Sequence, residues 1–399
     1  MSHHRSILFH FKVSRPAFWA ALSILFAVLI GVFILDPIWQ WYGLHVPGEQ
    51  NTKADFTYPV DTVFYIRNAE LGYRWSVHEP TSIWFHPLLS WATRILPNQI
   101  PGNLRLYFLS LVSALFSLIV VYKYSLKVFQ VELSPYLLLL AILVPGGLNI
   151  AVGNAELPAL LFNTLLLLAI INRNSGVIIF LVGAFAILTK PNAIYMLAPT
   201  AVYGLYAFVR RDKDMVWRCI LGMLGILLPW IGWIGYVDMR VGETGAYWQA
   251  RQIATVPLYL GPITLVYRAV QAMALGDWGE TLRFATAFVI PLVDLWLVLL
   301  VPFRSELHRL AGISSILAML LITLVINNPN KVIVYAMTLP SHIAVGLLAM
   351  QAGFQNVFHP IGLSRSKHFI LTLALLSYLL FCVGMFLFFV IGTPLEWYY

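Results

Sequence analysis

Few residues in this chain can do chemistry, and they recur at the ends of apolar runs. ILTKPNAIYMLAP carries Lys190, NNPNKVIVYAMTLP carries Lys331, and YWQARQIA carries Arg251. Three cations so placed can gather around one anionic head group such as a phosphate, because charge acts most strongly where water is scarce. A lone lysine there can equally snorkel its ammonium to the interface. GNAELPALLFN sets Glu156 just before an apolar helix. An ionisable group at membrane depth is a functional candidate by default, although the positive end of a helix dipole also favours a carboxylate.

The densest collection is ADFTYPVDTVFYIRNAELGYRWSVHEPTSIWFHPLLSWATRILP, residues 54–97, which holds Asp55, Asp61, Glu70, His78, Glu79 and His86. From Val60 to Leu71 the apolar pattern fits an amphipathic helix that Gly72 ends. On it Asp61, Tyr65 and Asn68 stand at i, i+4 and i+7 and share one face. Asp61 could act on a substrate or could cap the helix after the proline-containing turn. A second aromatic-rich stretch, Ser82 to Leu96, suits a helix lying in the membrane interface. The HExxxxxxH spacing of His78, Glu79 and His86 is not a known metal-ligand motif, so no metal site is expected. Cys219 and Cys382 lie far from any CxxC or Cys/His pattern and read as small core residues.

A membrane-embedded scaffold must position these groups. The 399 residues are 60% hydrophobic and 11% charged, and mean hydropathy is +0.80; soluble domains are about half apolar and a quarter charged. That excludes a soluble enzyme, a disordered chain and a disulfide scaffold, and implies an all-α polytopic membrane protein. A window of about 20 residues gives eleven spans, at 17–35, 104–124, 134–152, 157–172, 175–189, 193–209, 216–237, 284–302, 311–327, 332–350 and 369–391. The fifth is short and stops at Lys190-Pro191. The apolar segment from Ala17 to Leu35 is too long for a signal-peptide core and lacks a cleavage site after it, so a retained first span is expected. Asp294 is the acid deepest in an apolar run, and a hydrogen bond inside the bundle is the commoner explanation of such a residue.

Lysine and arginine accumulate in cytoplasmic loops. With the N-terminus inside, the inner face carries fourteen basic residues and four acids, a balance of +10 against −2 outside. The +8 net charge therefore reads as topology and calls for no nucleic-acid partner. Two outer segments, 37–103 and 238–283, are too long to be simple connectors, and long loops in compact proteins are usually functional. The whole chain, 1–399, reads as one integral-membrane domain whose chemistry faces outward from the cell membrane.

Taken in chain order, these segments resemble the GT-C glycosyltransferases, integral-membrane enzymes that use lipid-phosphate-linked sugars. DTVFYIRNAELGY followed by WFHPLLSWATRILP looks like the family pattern WD-x-x-(W/H)-(F/Y)-x-x-IA-x-x-GY and its FPLYP-like run. Within that superfamily the chain most resembles the PIG-V-type branch, GPI mannosyltransferase 2 and its prokaryotic relatives. NAELPALLFNTLLLLAI is similar to the branch's S-E-S-L-F segment, and LTKPNAIYMLAP to its (T/S)-(R/K)-P-(N/E)-G segment. YVDMRVGETGAYWQARQIA looks like the Gly-Asp and aromatic-Gln pattern before the second outer loop, and KVIVYAMTLPSHIAVG holds the place of the late R-Y-x-L-x-x-FP segment. Val60 stands where the pattern has Trp, Ala155 where it has Ser, and Lys331 with a displaced Tyr335 where it has Arg-Tyr.

The resemblance implies a GT-C-like fold and an inverting transfer, mannosyltransferase-like, from a polyprenyl-phosphate sugar to a hydroxyl of a glycan, lipid or protein acceptor. Asp61 is then the general base, and Lys190, Arg251 and Lys331 hold the donor phosphate. Asp55, Tyr65, Asn68, Glu70, His78, Glu79, His86 and Glu156 bind or support substrate, and no metal or other cofactor is required. The competing class is a multi-span transporter or lipid-linked-sugar flippase. It would show matched broken helices in two halves, and no such correspondence links Pro145-Gly146-Gly147 to Leu228-Pro229-Trp230. A structural subunit of a cell-envelope complex would leave Asp61, Lys190 and Lys331 without a shared purpose.

Overall fold

A computed structural model describes residues 15–41, 45–46, 49–53, 60–73, 83, 85–152, 155–254, 261–276, 278–326, 336–358, 377–378, 380 and 382–383. Helix α1 (Arg15–Ile30) runs through a π-helical turn (Gly31–Leu35) into α2 (Asp36–Trp41). The segment after α2 adds an antiparallel ribbon, His45–Val46 against Glu49–Lys53, which periodicity did not anticipate. Two short helices follow, α3 (Val60–Leu71) and α4 (Pro87–Ile95), and then α5 (Gly102–Val128). The remaining helices are α6 (Glu156–Ile171), α7 (Gly176–Thr189), α8 (Leu197–Val209), α9 (Lys213–Val241), α10 (Ala246–Ala254), α11 (Gly261–Ala274), α12 (Trp278–Leu300), α13 (Glu306–Ile326) and α14 (Pro340–Phe358). Apart from the ribbon and one isolated bridge, the described residues are helical or in turns.

By length and composition, four helical stretches among the described residues can cross a membrane: Arg15–Ile38, Gly102–Val128, Pro191–Val209 and Lys213–Val241. Helices α6 and α7 are apolar but shorter, at 16 and 14 residues. The expected span at 134–152 is not one helix. It is a 3-10 stretch (Pro135–Leu143), a turn, and a second 3-10 stretch (Gly147–Ile150). Pro145 supplies no N–H, Gly146 takes φ +83°, and a Cβ on Gly147 would meet the Ala141 carbonyl at 2.2 Å. Glycine at both 146 and 147 lets the chain fold back that tightly. Of the expected span at 332–350, residues 332–335 lie outside the described residues and the part from Pro340 is helical; most of 369–391 also lies outside the described residues.

The core is a bundle in which α7 lies along α9, α8 packs on α9 and α13, and α6 sits between α5 and α7. Small residues set the closest approach, as is usual between membrane helices. A Cβ on Gly225 of α9 would meet the Phe180 carbonyl of α7 at 2.4 Å, so here backbone touches backbone. Cys219 and Cys382 are free and buried within this core.

Candidate active site

The site begins where α7 fails. A residue before proline is pushed out of the α region, so Lys190, preceding Pro191, takes an extended conformation at φ −155°, ψ 139°. The chain restarts as a 3-10 turn (Pro191–Met196) that leads into α8. Released from the helix, the Lys190 side chain reaches the first turn of α6 and ion-pairs with Glu156 Oε1. Glu156 is fully buried and the Lys190 side chain is 10% exposed. Among the described residues, Oε2 of Glu156 has no hydrogen-bond partner, nor does Nδ2 of buried Asn192. One helical face further along α6, Asn163 donates through Nδ2 to the Thr338 carbonyl (2.9 Å), while its Oδ1 has no partner.

The first outer segment is locked against this break. Helix α3 lies where periodicity put it, ended by Gly72 at φ +74°, but its burial extends round most of its circumference. Thr62, Val63, Tyr65, Ile66, Asn68 and Ala69 are all buried. Tyr65 meets Phe85 edge-on at 5.0 Å, and both join Ile66, Leu89, Leu106 and Ala155 in one apolar cluster. The helix that bears Asp61 therefore shares this cluster with Ala155, the residue preceding Glu156. Its far end is held by Arg105 of α5, which donates to Glu70 (3.2 Å), to the Thr93 carbonyl (3.2 Å) and to Asn98 Oδ1 (3.1 Å). Glu70 is thus tied into the scaffold through Arg105.

His86 joins three elements. It precedes Pro87 at the start of α4 and is fully buried. Nδ1 faces the Ile187 carbonyl of α7, one turn before Lys190, and Nε2 lies 3.2 Å from the Tyr247 hydroxyl of α10. A carbonyl only accepts, so Nδ1 carries the proton that faces Ile187, and Nε2 pairs with the Tyr247 hydroxyl. Asp238, near the end of α9, accepts from the backbone N–H of Gly245 (2.9 Å) and of Tyr247 (3.4 Å), which starts α10 at a set angle. Tyr73 packs edge-on against Trp233 at 4.7 Å and donates to Ser90. Burial pushes its hydroxyl well above the usual tyrosine value, keeping it a neutral donor.

The structure thus brings together Glu156 and Lys190, places Tyr65 of α3 in an apolar cluster with Ala155, buries Asn68 on the same helix, and links His86 to both α7 and α10. Arg251 lies on α10 one turn after Tyr247, and Asp61 lies on the first turn of α3; the side chains of both are outside the described residues. Asp55, His78, Glu79 and Lys331 also lie outside them. Sequence reasoning missed Arg105, although it is the one charge among the first twenty residues of apolar α5. It also missed Asn163, Asn192 and Tyr247, which carry no charge to draw notice. Asp294 does have an interior partner: His342 Nδ1 lies 2.7 and 2.9 Å from its two carboxylate oxygens, and His342 Nε2 lies 3.0 Å from the Pro145 carbonyl. Both ring nitrogens face acceptors, so the imidazolium is the form that satisfies both contacts. Among the described residues no three His, Cys, Asp or Glu side chains are grouped as a metal site would require.

No protein-family model and no curated protein sequence matches the chain. Solved structures do match. The crystal structure of ArnT from Cupriavidus metallidurans bound to undecaprenyl phosphate superposes with a TM-score of 0.51 at 16% identity, covering 94% of this chain and 76% of that one. The apo state of the same protein gives a TM-score of 0.51 at 14% identity, with 95% and 77% covered. At such identities the likeness is one of fold.

Proposed function

We propose that this chain is an inverting glycosyltransferase that moves a sugar from a polyprenyl-phosphate donor to an acceptor hydroxyl on the outer face of the cell membrane. One observation carries the reading: a lysine buried at a helix break pairs with a buried glutamate, and the residue before that glutamate, Ala155, shares an apolar cluster with the helix that bears Asp61. It occurs in the fold of a protein solved with undecaprenyl phosphate bound. A charge pair so shielded from water is costly to keep for structure alone and useful where an anion must be held.

In this reading the acceptor hydroxyl attacks the anomeric carbon as the bond to the phosphate oxygen breaks. Asp61 takes the hydroxyl proton, a contribution of about 10²–10⁴-fold. The phosphate leaves as an anion, and Lys190, Arg251 and Lys331 stabilise its charge without protonating it. Glycosidases need a second carboxyl group because their leaving group must be protonated; a phosphate needs none, and side-chain cations supply the compensation a metal would otherwise give. Glu156 keeps the Lys190 ammonium oriented at the helix break. Mannose as the transferred sugar, and a glycan, lipid or protein as acceptor, follow from the likeness to the PIG-V-type branch.

The test is Asp61→Asn in purified protein, assayed with a panel of polyprenyl-phosphate sugars. Turnover should fall by about 10²–10⁴-fold. Turnover equal to the wild type removes Asp61 as the base, and no transfer by the wild type from any donor in the panel removes the glycosyltransferase reading.

A further inference from the structure

Three buried polar atoms on α6 and on the 3-10 turn packed against it are left without partners among the described residues: Glu156 Oε2, Asn192 Nδ2 and Asn163 Oδ1. Glu156 and Asn163 stand seven residues apart on α6 and so share a face. The 3-10 turn that carries Asn192 packs against that helix, and Lys190, two residues before Asn192, touches Glu156. In a membrane bundle, where buried polar groups are normally satisfied internally, such a concentration points to a polar occupant.

The chemistry of that occupant can be read from the atoms. Glu156 offers a carboxylate acceptor and repels anions. Asn192 offers an N–H donor, and Asn163 offers a further acceptor deeper along α6. An apolar ligand would leave all three desolvated. A hydroxyl satisfies both kinds of group at once, donating its proton to Glu156 while accepting from Asn192. Several hydroxyls on one ring suit atoms distributed along a helix face.

We infer that Glu156, Asn192 and Asn163 form the subsite that recognises the hydroxyl groups of the donor sugar, next to the Lys190 ammonium that meets its phosphate. The inference rests on the glycosyl-transfer reading, and it follows the covalent order of the donor, whose sugar is bonded directly to the phosphate. Asn192 is the specificity-determining member, because it contributes recognition without contributing charge.

Binding separates the sugar from the phosphate. Affinities of the purified full-length protein would be measured for undecaprenyl phosphate and for undecaprenyl phosphate bearing mannose, glucose or galactose. The wild type should favour one glycosylated lipid over the bare phosphate. Asn192→Leu should lose about 10-fold or more of that preference while its affinity for undecaprenyl phosphate is unchanged, the loss of a hydrogen bond to a desolvated group. Asn192→Ala, which removes the amide without adding bulk, should reproduce the loss and serves if the leucine variant folds poorly. A wild-type preference retained in either variant overturns the subsite, especially if Asn192→Leu also raises thermal stability, as expected for a merely tolerated amide. A wild type that binds undecaprenyl phosphate with no preference for any sugar also overturns it, leaving the phosphate assignment standing. A wild type that binds none of these lipids overturns the functional reading together with the subsite.

Discussion

Replacing Glu156 with Gln preserves the size of the side chain and leaves the Lys190 ammonium facing a neutral amide. The structure sets the magnitude. The Glu156 side chain is 0% exposed and that of Lys190 is 10% exposed, so solvent cannot take over the stranded charge. Breaking such a buried pair from one side costs about 3–5 kcal/mol, which at about 1.4 kcal/mol per decade is roughly two to three and a half decades in the unfolding equilibrium. The Glu70 and Arg105 pair offers an internal contrast: the Glu70 side chain is 51% exposed, and an ion pair open to water is worth only about 0–1 kcal/mol. Removing both buried charges, as Glu156→Gln with Lys190→Met, should restore stability to the wild-type level or above, because replacing a whole buried pair is often neutral or stabilising by about 1–4 kcal/mol. Transfer activity should stay low in the double variant, since the cation proposed to meet the phosphate is gone. Thermal and denaturant unfolding of detergent-solubilised protein, followed by tryptophan fluorescence, measures the first effect, and turnover from a polyprenyl-phosphate sugar measures the second. A single variant as stable as the wild type, or a double variant no more stable than the single, would refute the reasoning.

His342→Gln should destabilise the bundle by about 3–5 kcal/mol by leaving Asp294 without its buried cation; adding Asp294→Asn should recover most of that loss in the same unfolding measurements. Acid should weaken the protein through His308, which precedes the span expected at 311–327 and lies 2.8 Å from the Tyr203 hydroxyl. Burial, with Arg304 nearby, lowers its pKa below 6.5, so the unfolded chain binds a proton that the folded chain refuses. The stabilisation is complete above about pH 6.5 and is lost as pH falls from there through the lowered folded value. His308→Gln should flatten this part of the pH profile, and an unchanged profile would dismiss His308 as its source.

Local signals in the sequence carried well. Gly72 ends α3 where a left-handed residue is needed, and Lys190-Pro191 breaks the chain as a residue before proline must. The side-chain partnerships were not legible. Glu156 and Lys190 are separated by 34 positions, Glu70 and Arg105 by 35, and His86 and Tyr247 by 161, and periodicity holds no information at such separations. The stretch at 134–152 misled for another reason. Hydropathy reports how apolar a segment is, and a folded-back 3-10 segment buried among helices is as apolar as a helix facing lipid. The same blindness hid His342, whose neighbours along the chain are apolar while the groups facing it in space are a carboxylate and a carbonyl.

The contacts of His86 have a mechanical consequence. One imidazole ring is riveted at one nitrogen to the end of the helix that delivers Lys190, and at the other to the helix that bears Arg251. Two basic arms joined through a rigid five-membered ring cannot open or close independently. A displacement of one is transmitted to the other through the ring. In the proposed function, where both arms meet the donor phosphate, they therefore close on it together.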